Sequence, residues 1–486
     1  MPYTKSPSIS TYETKRINFV ISPSQRSAST PAKDGVLSNM MVEVVTTPDQ
    51  SNARVFVKSR PGLSTSYSHT AGVGRGMYYW LVSGVGYIIY VIGNSVYSNG
   101  TLLTTLTTST GEVGFTEFVN DVSVNTLIMV DGTKGYVFAN PTTAPTEITS
   151  ADFPTPHIPQ PIFLDGYLFL AKPGTQEVFN SNLNDPTLWT AGEYISAELY
   201  PDTIVALSKN NNYIYAIGAQ SVEYLYDAAN ATGSPLSRHE AAVQQFGTVA
   251  SASVVQTEKE VILVGETGNG GHTVWTIDGF KEKEIANPAI RSVLRAEGAN
   301  LKNAVAHCIR VSGQKFYLLN LTSTTLVYCF DTQMWTKWTS GVSGNDNFVG
   351  THATDGPNGM AYLLGETNGK VYTISESYFD DAGTPFLCEI VTPKYDFDTF
   401  NQKTMSRLSV LGDIPDSFGS GNEMQISWTD DDYQTWVTDR TLSFDYDFPC
   451  IAQLGRFRRR AFRFRYSKPY MLRLEGFEVD INKGNQ

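Results

Sequence analysis

Apolar and polar residues alternate in short runs, and pairs of such runs recur along the middle of the chain. Each pair consists of an alternating apolar stretch, a short turn with Gly or Asn, and a second stretch with aromatic residues. Period-two alternation bounded by turn residues predicts β-hairpins. Seven hairpins are predicted, at residues 87–97, 125–138, 166–179, 212–226, 260–277, 314–330 and 360–374.

The spacing of these hairpins indicates a repeat. Their starts lie between 38 and 54 residues apart, close to the roughly 40–50 residues that one four-stranded propeller blade occupies. Each small sheet can bury its faces only against its neighbours, so the sheets have to close into a ring. We therefore predict an all-β protein with a β-propeller of six or seven blades. An array of β-sandwiches also produces hairpins, and the drifting intervals leave that alternative open.

Changes in the pattern predict three segments. Residues 1–60 are polar and rich in Ser and Pro, and are expected to form an N-terminal arm and a first strand. Residues 61–384 hold the propeller. From about Pro385 the hairpin repeat stops, and longer strands predict a C-terminal β domain over 385–486. In its last strand the side-chain parity reverses at Gly476, which predicts a β-bulge there.

Helix signals are few. The best are residues 237–246 and residues 287–298, the second with Asn287 as N-cap and Pro288 in the first turn. The uncharged stretch Met77–Gly93 is nearly long enough to cross a bilayer, but Ser83–Gly86 interrupts it. Two strands joined by a turn are the favoured interpretation.

Charge is distributed unevenly in this chain, whose net charge is −12. Residues 76–237 contain three Lys, no Arg and fourteen carboxylates, a net charge of −11. Residues 453–468 contain six Arg, one Lys and no acid, while residues 430–447 contain six Asp and one Arg. Like charges repel, and guanidinium groups lose hydration when packed. The basic strand therefore needs a polyanion, an acidic neighbour in the chain or a partner chain.

The six arginines of this strand are the main functional candidates, with two interpretations. They could line a conduit for double-stranded DNA, where phosphate contacts carry no sequence information. Alternatively they pair with acids, either in the chain (430–432 and Glu475) or on a neighbouring subunit. Interleaved phenylalanines and the negative net charge favour pairing. The candidates are Arg456, Arg458, Arg459, Arg460, Arg463 and Arg465.

The segment TDDDYQTW (429–436) resembles the Asp-box turn of sialidase-type propellers. Thr429, Asp431, Thr435 and Trp436 fit that pattern, while Tyr433 stands where Gly is expected. The substitution argues against a tight left-handed turn, because only Gly adopts that conformation without cost. In such turns the Asp accepts backbone N–H bonds and the Trp packs beneath the hairpin, so the element is structural.

Other candidate chemistry is sparse. The six histidines form no HxH or HExxH motif, and the four cysteines form no CxxC pair, so neither a metal site nor a cofactor is predicted. The cysteines are expected to be reduced, buried thiols. No catalytic residues are predicted, and we expect a protein that is not an enzyme. The alternative is a glycan-binding or glycan-cleaving, sialidase-like propeller, although residues 76–237 lack the arginines that sialidases use to bind their sugar.

The order of several motifs resembles one family, the tail hub or nozzle proteins of short-tailed bacteriophages, also called packaged-DNA stabilisation proteins. The motifs that carry this resemblance run from the strand exit near the N-terminus to the arginine-rich end of the chain. They are SRPGL (59–63), FNSNLNDPTLW (179–189), AELYPDTIVAL (197–207), GAQSVEYLYDA (218–228), ISWTDDDYQTW (426–436) and LGRFRRRAFRFRYSKPYMLRLEG (454–476).

This resemblance implies a structural virion protein located in the phage tail and assembled in the cytoplasm of the host bacterium. It implies a homo-oligomer, a hexameric ring below the portal and its adaptor, that continues the DNA channel and retains the packaged double-stranded DNA. It also implies docking of tail fibres or spikes and of a distal needle or plug. The low charge and high aromatic content suit large permanent interfaces. An acidic lumen would let DNA slide without sticking.

Overall fold

The computed structural model describes residues 12–19, 36–45, 54–121, 124–267, 271–357, 360–413, 421–446 and 448–484. These residues are almost entirely strands, and their contacts divide the chain into two compact units. Unit 1 comprises Met1–Gly62, Thr332–Asp346 and Glu376–Gln486, and unit 2 comprises Leu63–Asp331 and Asn347–Ser375. Most of the predicted N-terminal arm, and the turn of the hairpin predicted at 260–277, lie outside the described residues.

The first four described strands belong to unit 1. They are β1 (Glu13–Asn18), β2 (Val36–Ser38), β3 (Met40–Val45) and β4 (Arg54–Ser59). β3 and β4 form an antiparallel pair in which Met40 faces Ser59 and Val45 faces Arg54. Met40, Val42 and Val57 are buried in the core of unit 1, so these residues form part of a sheet.

Within the described ranges, unit 2 contains seven antiparallel sheets. The first is built from β6 (Gly74–Val82), β7 (Val85–Ile92), β8 (Ser95–Ser98) and β9 (Thr101–Thr105). The second contains β10 (Gly114–Val119), β11 (Asn125–Val130), β12 (Gly135–Phe138) and β13 (Thr146–Glu147). The third contains β14 (Ile162–Leu164), β15 (Tyr167–Ala171), β16 (Glu177–Asn182) and β17 (Asp185–Ser196). The fourth contains β18 (Ile204–Asn210), β19 (Tyr213–Gly218), β20 (Val222–Asp227) and β21 (Leu236–Gln244).

The remaining three sheets follow in chain order, except that the last one also takes a strand from the start of the unit. The fifth contains β22 (Phe246–Thr248), β23 (Val255–Gln256), β24 (Val261–Thr267), β25 (His272–Asp278) and β26 (Lys281–Glu284). The sixth contributes β27 (Val305–Val311), β28 (Gln314–Asn320) and β29 (Thr325–Cys329). The seventh contains β32 (Gly350–Asp355), β33 (Ala361–Gly365), β34 (Lys370–Ser375) and β5 (Gly62–Ser68).

The sheets of unit 2 close into a ring. The first strand of each sheet, or β23 in the fifth, packs on its counterpart in the next sheet, from β6 through β10, β14, β18, β23, β27 and β32 back to β6. β5 joins the seventh sheet beside β34, so the beginning and the end of the unit share one sheet. The predicted all-β propeller is confirmed, with seven blades in the described ranges, and each predicted hairpin is the second and third strand of one blade.

One predicted helix is confirmed and the other is wrong. α1 (Pro288–Glu297) begins after Asn287, whose Oδ1 accepts the N–H of Ile290 at 3.0 Å. Residues 237–246, predicted as a helix, instead form most of strand β21, which pairs with β20. A neighbouring strand with unpaired backbone groups offers β21 hydrogen bonds that outweigh the small helix preference of the segment. Two short 3₁₀ helices are also present, at Ser251–Ser253 and Gly298–Asn303.

The rest of unit 1 consists of strands from the later part of the chain. They are β30 (Met334–Ser340), β31 (Asp346–Asn347) at the crossing into unit 2, β35 (Cys388–Val391), β36 (Lys403–Gly412), β37 (Glu423–Thr429), β38 (Arg440–Ser443), β39 (Cys450–Phe457), β40 (Ala461–Tyr466) and β41 (Arg473–Lys483). One sheet has the order β3-β4-β41-β36-β39, with β1 also paired with β41. In the second, the strands of unit 1 have the order β30-β2-β35-β40-β37-β38. Both contribute to one core that contains Phe462, Phe464 and Phe477.

The β-bulge predicted at Gly476 is confirmed. Leu411 of β36 faces Gly476, whereas the next residue, Gly412, faces Leu474, so Glu475 is the extra residue. A Cβ atom at Gly476 would lie 2.2 Å from the carbonyl oxygen of Ile17 on β1. Glycine is therefore required there for the close approach of β1.

The stretch Met77–Gly93 forms parts of β6 and β7, joined by a turn in which Ser83 and Gly84 have positive φ, as predicted. No helix among the described residues has the length and hydropathy needed to span a membrane. The four cysteines are free thiols. Cys329 and Cys388 are buried as expected, but Cys308 is only half-buried. Cys450 is exposed because it begins β39, the last strand of its sheet.

Candidate functional site

The arginine-rich segment alternates between the core and the surface of unit 1. Phe462, Phe464 and Tyr466 of β40 are buried in the core, and the ring centroids of Phe462 and Phe464 lie 5.2 and 5.3 Å from that of Phe477. Period-two alternation therefore directs the intervening Arg463 and Arg465 to the opposite face of the sheet.

Arg460 is the most buried of the six arginines, at 1% exposure. Its Nε and Nη2 atoms donate to Oδ1 and Oδ2 of Asp430, both at 2.8 Å, and its Nη1 donates to the carbonyl oxygen of Leu454 at 2.8 Å. The guanidinium lies over the rings of Phe457 and Trp428, 4.4 and 5.2 Å from their centroids. A bidentate pair of this kind fixes the orientation of both side chains, so Arg460 is part of the packing of unit 1.

Arg463 and Arg465 share one carboxylate, that of Asp439. The Arg465 Nη2 atom donates to Oδ2 of Asp439, and the Arg463 Nη2 atom lies 3.7 Å from its Oδ1. Arg463 also donates to Ser427 Oγ at 3.1 Å and lies over the ring of Trp436, 4.5 Å from its centroid. Burial lowers the pKa of Arg463. These two arginines therefore have acidic and aromatic partners within their own unit.

Arg456, Arg458 and Arg459 are exposed. Among the described residues, no carboxylate lies within ion-pair distance of any of them. Arg458 Nη1 donates to the carbonyl oxygen of Phe400 at 2.8 Å, and the guanidiniums of Arg458 and Arg459 both lie 5.8 Å from the centroid of its ring. The Phe400 side chain is 62% exposed. We call these three arginines and Phe400 the basic corner.

The structure thus divides the six predicted candidates into two groups. Arg460, Arg463 and Arg465 pair with aspartates that are close to them in space within unit 1. Glu475, the other acid expected to contribute, pairs instead with Arg16 at 2.8 Å. The groups available for a partner are those of the basic corner.

The Asp-box-like turn forms despite its departure from the sialidase pattern. Asp431 accepts hydrogen bonds from Thr429 Oγ1 at 2.7 Å, from the N–H of Thr435 at 3.0 Å and from Thr435 Oγ1. These bonds, chiefly that from the Thr435 side chain, lower the pKa of Asp431 to about 2. Tyr433 adopts φ 66° in the position where Gly was expected.

The hydroxyl of Tyr433 donates to the carbonyl oxygen of Thr392 at 2.9 Å, and its ring lies 5.7 Å below the Nζ atom of Lys394. Lys394 in turn pairs with Asp432, which also has a positive φ. These contacts hold the left-handed backbone that a non-glycine residue would otherwise adopt at a cost. Trp436 lies under Arg463, so the turn and the arginine strand stabilise each other.

Two of the motifs in unit 2, AELYPD (197–202) and GAQSVEY (218–224), bind each other reciprocally. Asp202 Oδ2 accepts the N–H of Gln220 and its Oδ1 accepts Ser221 Oγ, both at 2.8 Å, while Glu223 Oε1 accepts the N–H of Tyr200 at 3.0 Å. A Cβ atom at Gly218 would lie 2.3 Å from Asp202 Oδ2. The two motifs therefore have a structural role, because their hydrogen bonds hold the segment before the fourth blade against the turn between β19 and β20.

The SRPGL motif has a comparable role in unit 1. Arg60 makes five hydrogen bonds, to Asn39 Oδ1 at 2.9 Å, to the carbonyl oxygens of Pro61 and Thr339 at 3.0 and 3.1 Å, and to both oxygens of Asp381. Its guanidinium also lies 3.8 Å from the centroid of the Phe386 ring. All five N–H donors of a guanidinium are thus used.

Sequence reasoning did not find a cavity of about 280 Å³ on the axis of the propeller. His352 Nε2 lies 2.7 Å from Glu112 Oε2, and the rings of His352 and His307 are 5.0 Å apart. Burial is the main reason that the pKa of His307 is well below its ordinary value, and the neighbouring His352 lowers it further. These residues lie on different blades, so only closure of the ring brings them together.

Within the part of the chain that the structure describes, no group of three or more His, Cys, Asp or Glu side chains is arranged to hold a metal ion. His307 Nε2 is buried and has no hydrogen-bond partner among the described residues. The axial cavity combines this nitrogen with Gln160, whose side chain donates to Ser251 O and accepts from the N–H of Leu207. It is a small, partly polar cavity whose groups bind mainly each other.

A family model described as Bacteriophage P22 Gp10, beta-propeller matches residues 30–378 of the chain. No curated protein matches the sequence significantly. Among solved structures, the N-terminal domain of Nup159 is 10% identical, with a TM-score of 0.38, over 70% of this chain and 99% of that chain. The β-propeller domain of Myceliophteria thermophila Cps50 (Swd1) is 8% identical, with a TM-score of 0.40, over 64% and 98%.

Proposed function

The chain belongs to the phage stabilisation family, described as the bacteriophage P22 Gp10 β-propeller, and from this premise we propose that it is the ring-forming hub of a short-tailed phage tail. It is a structural phage protein, from a family that stabilises packaged DNA. The observation that carries the proposal is the family match over residues 30–378, which includes every blade of unit 2.

In the proposed arrangement, several copies, six by resemblance to the family, form a ring below the portal and its adaptor. The ring continues the DNA channel and retains the packaged DNA without reading its sequence. Fibres or spikes and a distal needle or plug dock on it, at the virion tail. The carboxylate-rich blades of residues 76–237 would repel DNA where they face the lumen, so that the genome can slide.

Electron microscopy of the purified chain, alone and mixed with the adaptor of the same phage, tests this proposal. We expect rings with a central opening that bind the adaptor at one end. Virions that lack the protein should package DNA and then lose it. A chain that neither forms rings nor binds the adaptor, with virions that keep their genome without it, would contradict the proposed function.

Substitution of the exposed arginines distinguishes two roles, holding an interface between copies and contacting DNA. Substituting Ser for Arg456, Arg458 and Arg459 leaves the buried Arg460–Asp430 pair intact. If these arginines hold an interface between copies, the variant gives monomers and virions without tails. If they contact DNA, rings assemble normally but the genome leaks, and more so as salt rises. The matched control replaces three exposed cations of unit 2, Lys259, Arg295 and Lys302, by Ser.

A further inference from the structure

The backbone of the basic corner is held in place by cations that bind its carbonyl groups. Lys403, which is buried, donates from Nζ to the carbonyl oxygens of Thr399 and Asn401 at 2.6 and 2.8 Å. Arg458 donates to the carbonyl oxygen of the residue between them, Phe400. Three successive carbonyl groups are therefore fixed by cations. The backbone at Phe400 is therefore held in place, while its ring is 62% exposed.

The composition of the basic corner is that of an interface hot spot. Aromatic and arginine side chains dominate binding energy at interfaces when they are rigid and become desolvated. The three guanidiniums have no carboxylate within ion-pair distance among the described residues, and like charges repel. Burial is the main reason that the pKa of Lys403 is lowered, and the positive charge of Arg458 lowers it further. An acidic partner would remove this repulsion.

Unit 2 has a groove with the complementary properties. It is open, has a volume of about 710 Å³, and lies between the edge strands of two neighbouring blades, β17 and β21. Glu198 and Glu240 are exposed on its walls, and Tyr194 and Ile195 also line it. Glu240 has no ion-pair partner among the described residues, while Glu198 lies 3.7 Å from Arg238.

At the outer rim of the propeller, the groove therefore offers an aromatic face, the carboxylate of Glu240, and that of Glu198 beside Arg238, which also lines the groove. Tyr194 is 40% exposed, and the face of a Tyr ring attracts a guanidinium that becomes desolvated. One arginine of the basic corner matches Glu240, because a guanidinium binds a carboxylate through two parallel hydrogen bonds. A second can share Glu198 with Arg238, whose Nη1 atom is 3.7 Å away. Phe400 matches the apolar surface of Tyr194 and Ile195.

We propose that the basic corner of one copy binds the β17–β21 groove of a second copy of this chain. The two surfaces are different parts of the molecule, so the contact is heterologous. Repeated contacts of this kind close into a ring when the rotation between copies permits it. The inference rests on the proposed function, since it identifies which surfaces join the copies of the hub.

Charge reversal tests this interface on the full-length chain. The first variant is R458E/R459E, and the second is E198R/E240R. We expect each variant alone to weaken assembly by on the order of 100-fold, measured as the concentration dependence of mass by analytical ultracentrifugation. The controls reverse two exposed charges outside both surfaces, K259E/K302E and D152R/D165R. These controls should assemble like the wild-type chain.

Mixing the two reversed variants gives a sharper result. Each variant retains one intact surface, and the two reversed surfaces are complementary to each other, so an equimolar mixture should assemble again with the two variants alternating, whereas neither variant assembles alone. A chain that carries all four reversals restores both charge patterns in opposite order, and we expect it to form rings again. Variants that simply misfold would not show this rescue, and a melting curve of each single variant checks for misfolding.

The outcomes separate the interface from the proposed function. Wild-type rings that are insensitive to both reversals would overturn the interface and leave the hub intact. Normal rings of R458E/R459E with salt-dependent loss of packaged DNA would assign the basic corner to DNA and would also overturn the interface. A wild-type chain that stays monomeric at every concentration, and that does not bind the adaptor, would contradict the proposed function itself.

Discussion

Arg60 and Asp381 form a buried, bidentate ion pair, with nitrogen–oxygen distances of 2.9 and 2.7 Å. The two side chains are 0% and 7% exposed. The pair connects the strand exit after β4 to residues that follow the propeller in the chain, all within unit 1. It explains why an Arg-Pro-Gly motif stands at that point of the sequence.

Removing one partner of this pair should destabilise unit 1 strongly. Asp381→Asn leaves a buried guanidinium without its counter-charge, and we expect a loss of about 3–5 kcal/mol. Chemical denaturation of the wild type and the variant measures this difference. As a control, Glu147→Gln removes a surface ion pair with Lys134, in which the Glu147 side chain is 41% exposed and the Lys134 side chain 35%. This substitution should cost less than about 1 kcal/mol. Equal effects of the two variants would contradict the importance of the buried pair.

Glu223 should make the stability of the propeller depend on pH. Burial is the main reason that its pKa is raised above 4.5. A carboxyl group with a raised folded-state pKa contributes stability below its unfolded value, and this contribution is lost as the pH rises through the folded-state pKa. Glu223→Gln keeps an acceptor for the N–H of Tyr200 and removes the charge, so its stability should be at least that of the wild type at pH 8.

The control at this site is Glu223→Ala, which removes the acceptor as well. The partly buried N–H of Tyr200 then loses its partner, and we expect a cost of about 1 kcal/mol. Thermal melting at pH 5 and pH 8 compares the three chains. A Gln variant that is as unstable as the Ala variant would show that the carboxylate charge is needed.

Asp431 should affect stability in the opposite direction. Its folded-state pKa of about 2 lies below the unfolded value of 3.8, so its contribution is complete above pH 4 and is lost as the pH falls toward 2. The turn should therefore open in acid, which the fluorescence of Trp436 detects as a difference between the wild type and Asp431→Asn. Thr435→Val removes the hydrogen bond with the largest effect and should shift the transition to higher pH.

His307 should make the propeller sensitive to mild acid. Its pKa in the folded chain is well below 6.5 because burial disfavours the imidazolium. A histidine with a depressed folded-state pKa contributes stability above its unfolded value that is lost as the pH falls. The melting temperature of the wild type should therefore decrease below about pH 6.5, and His307→Phe should decrease less. Parallel curves for the two chains would assign the acid sensitivity to other groups.

Local pattern accounts for most of the elements that were predicted correctly. The seven hairpins and the cap of α1 depend on neighbouring residues, so spacing and turn chemistry were sufficient. The helix prediction at 237–246 was wrong because β20 supplies a strand partner that no local pattern reveals. The doubt about Tyr433 arose because its stabilising contacts, Thr392 and Lys394, lie about forty positions earlier in the chain.

The ion-pair partners of the arginines also could not be predicted from local sequence pattern. Their alternation with phenylalanines predicted two faces of one strand, but the assignment of Asp430 and Asp439 as partners required the fold of unit 1. The axial pair His307 and His352 had no sequence signal, since the two residues are 45 positions apart and Glu112 is 240 positions from His352.

By itself, the sequence determined the all-β class, the blade repeat and the uneven distribution of charge, because each depends on residues that are close together in the chain. Only the tertiary structure decided how many blades close the ring, which arginines are neutralised and which remain exposed. Burial and ion pairing depend on distances in space between residues that the chain keeps far apart, and closure of the sheets sets those distances.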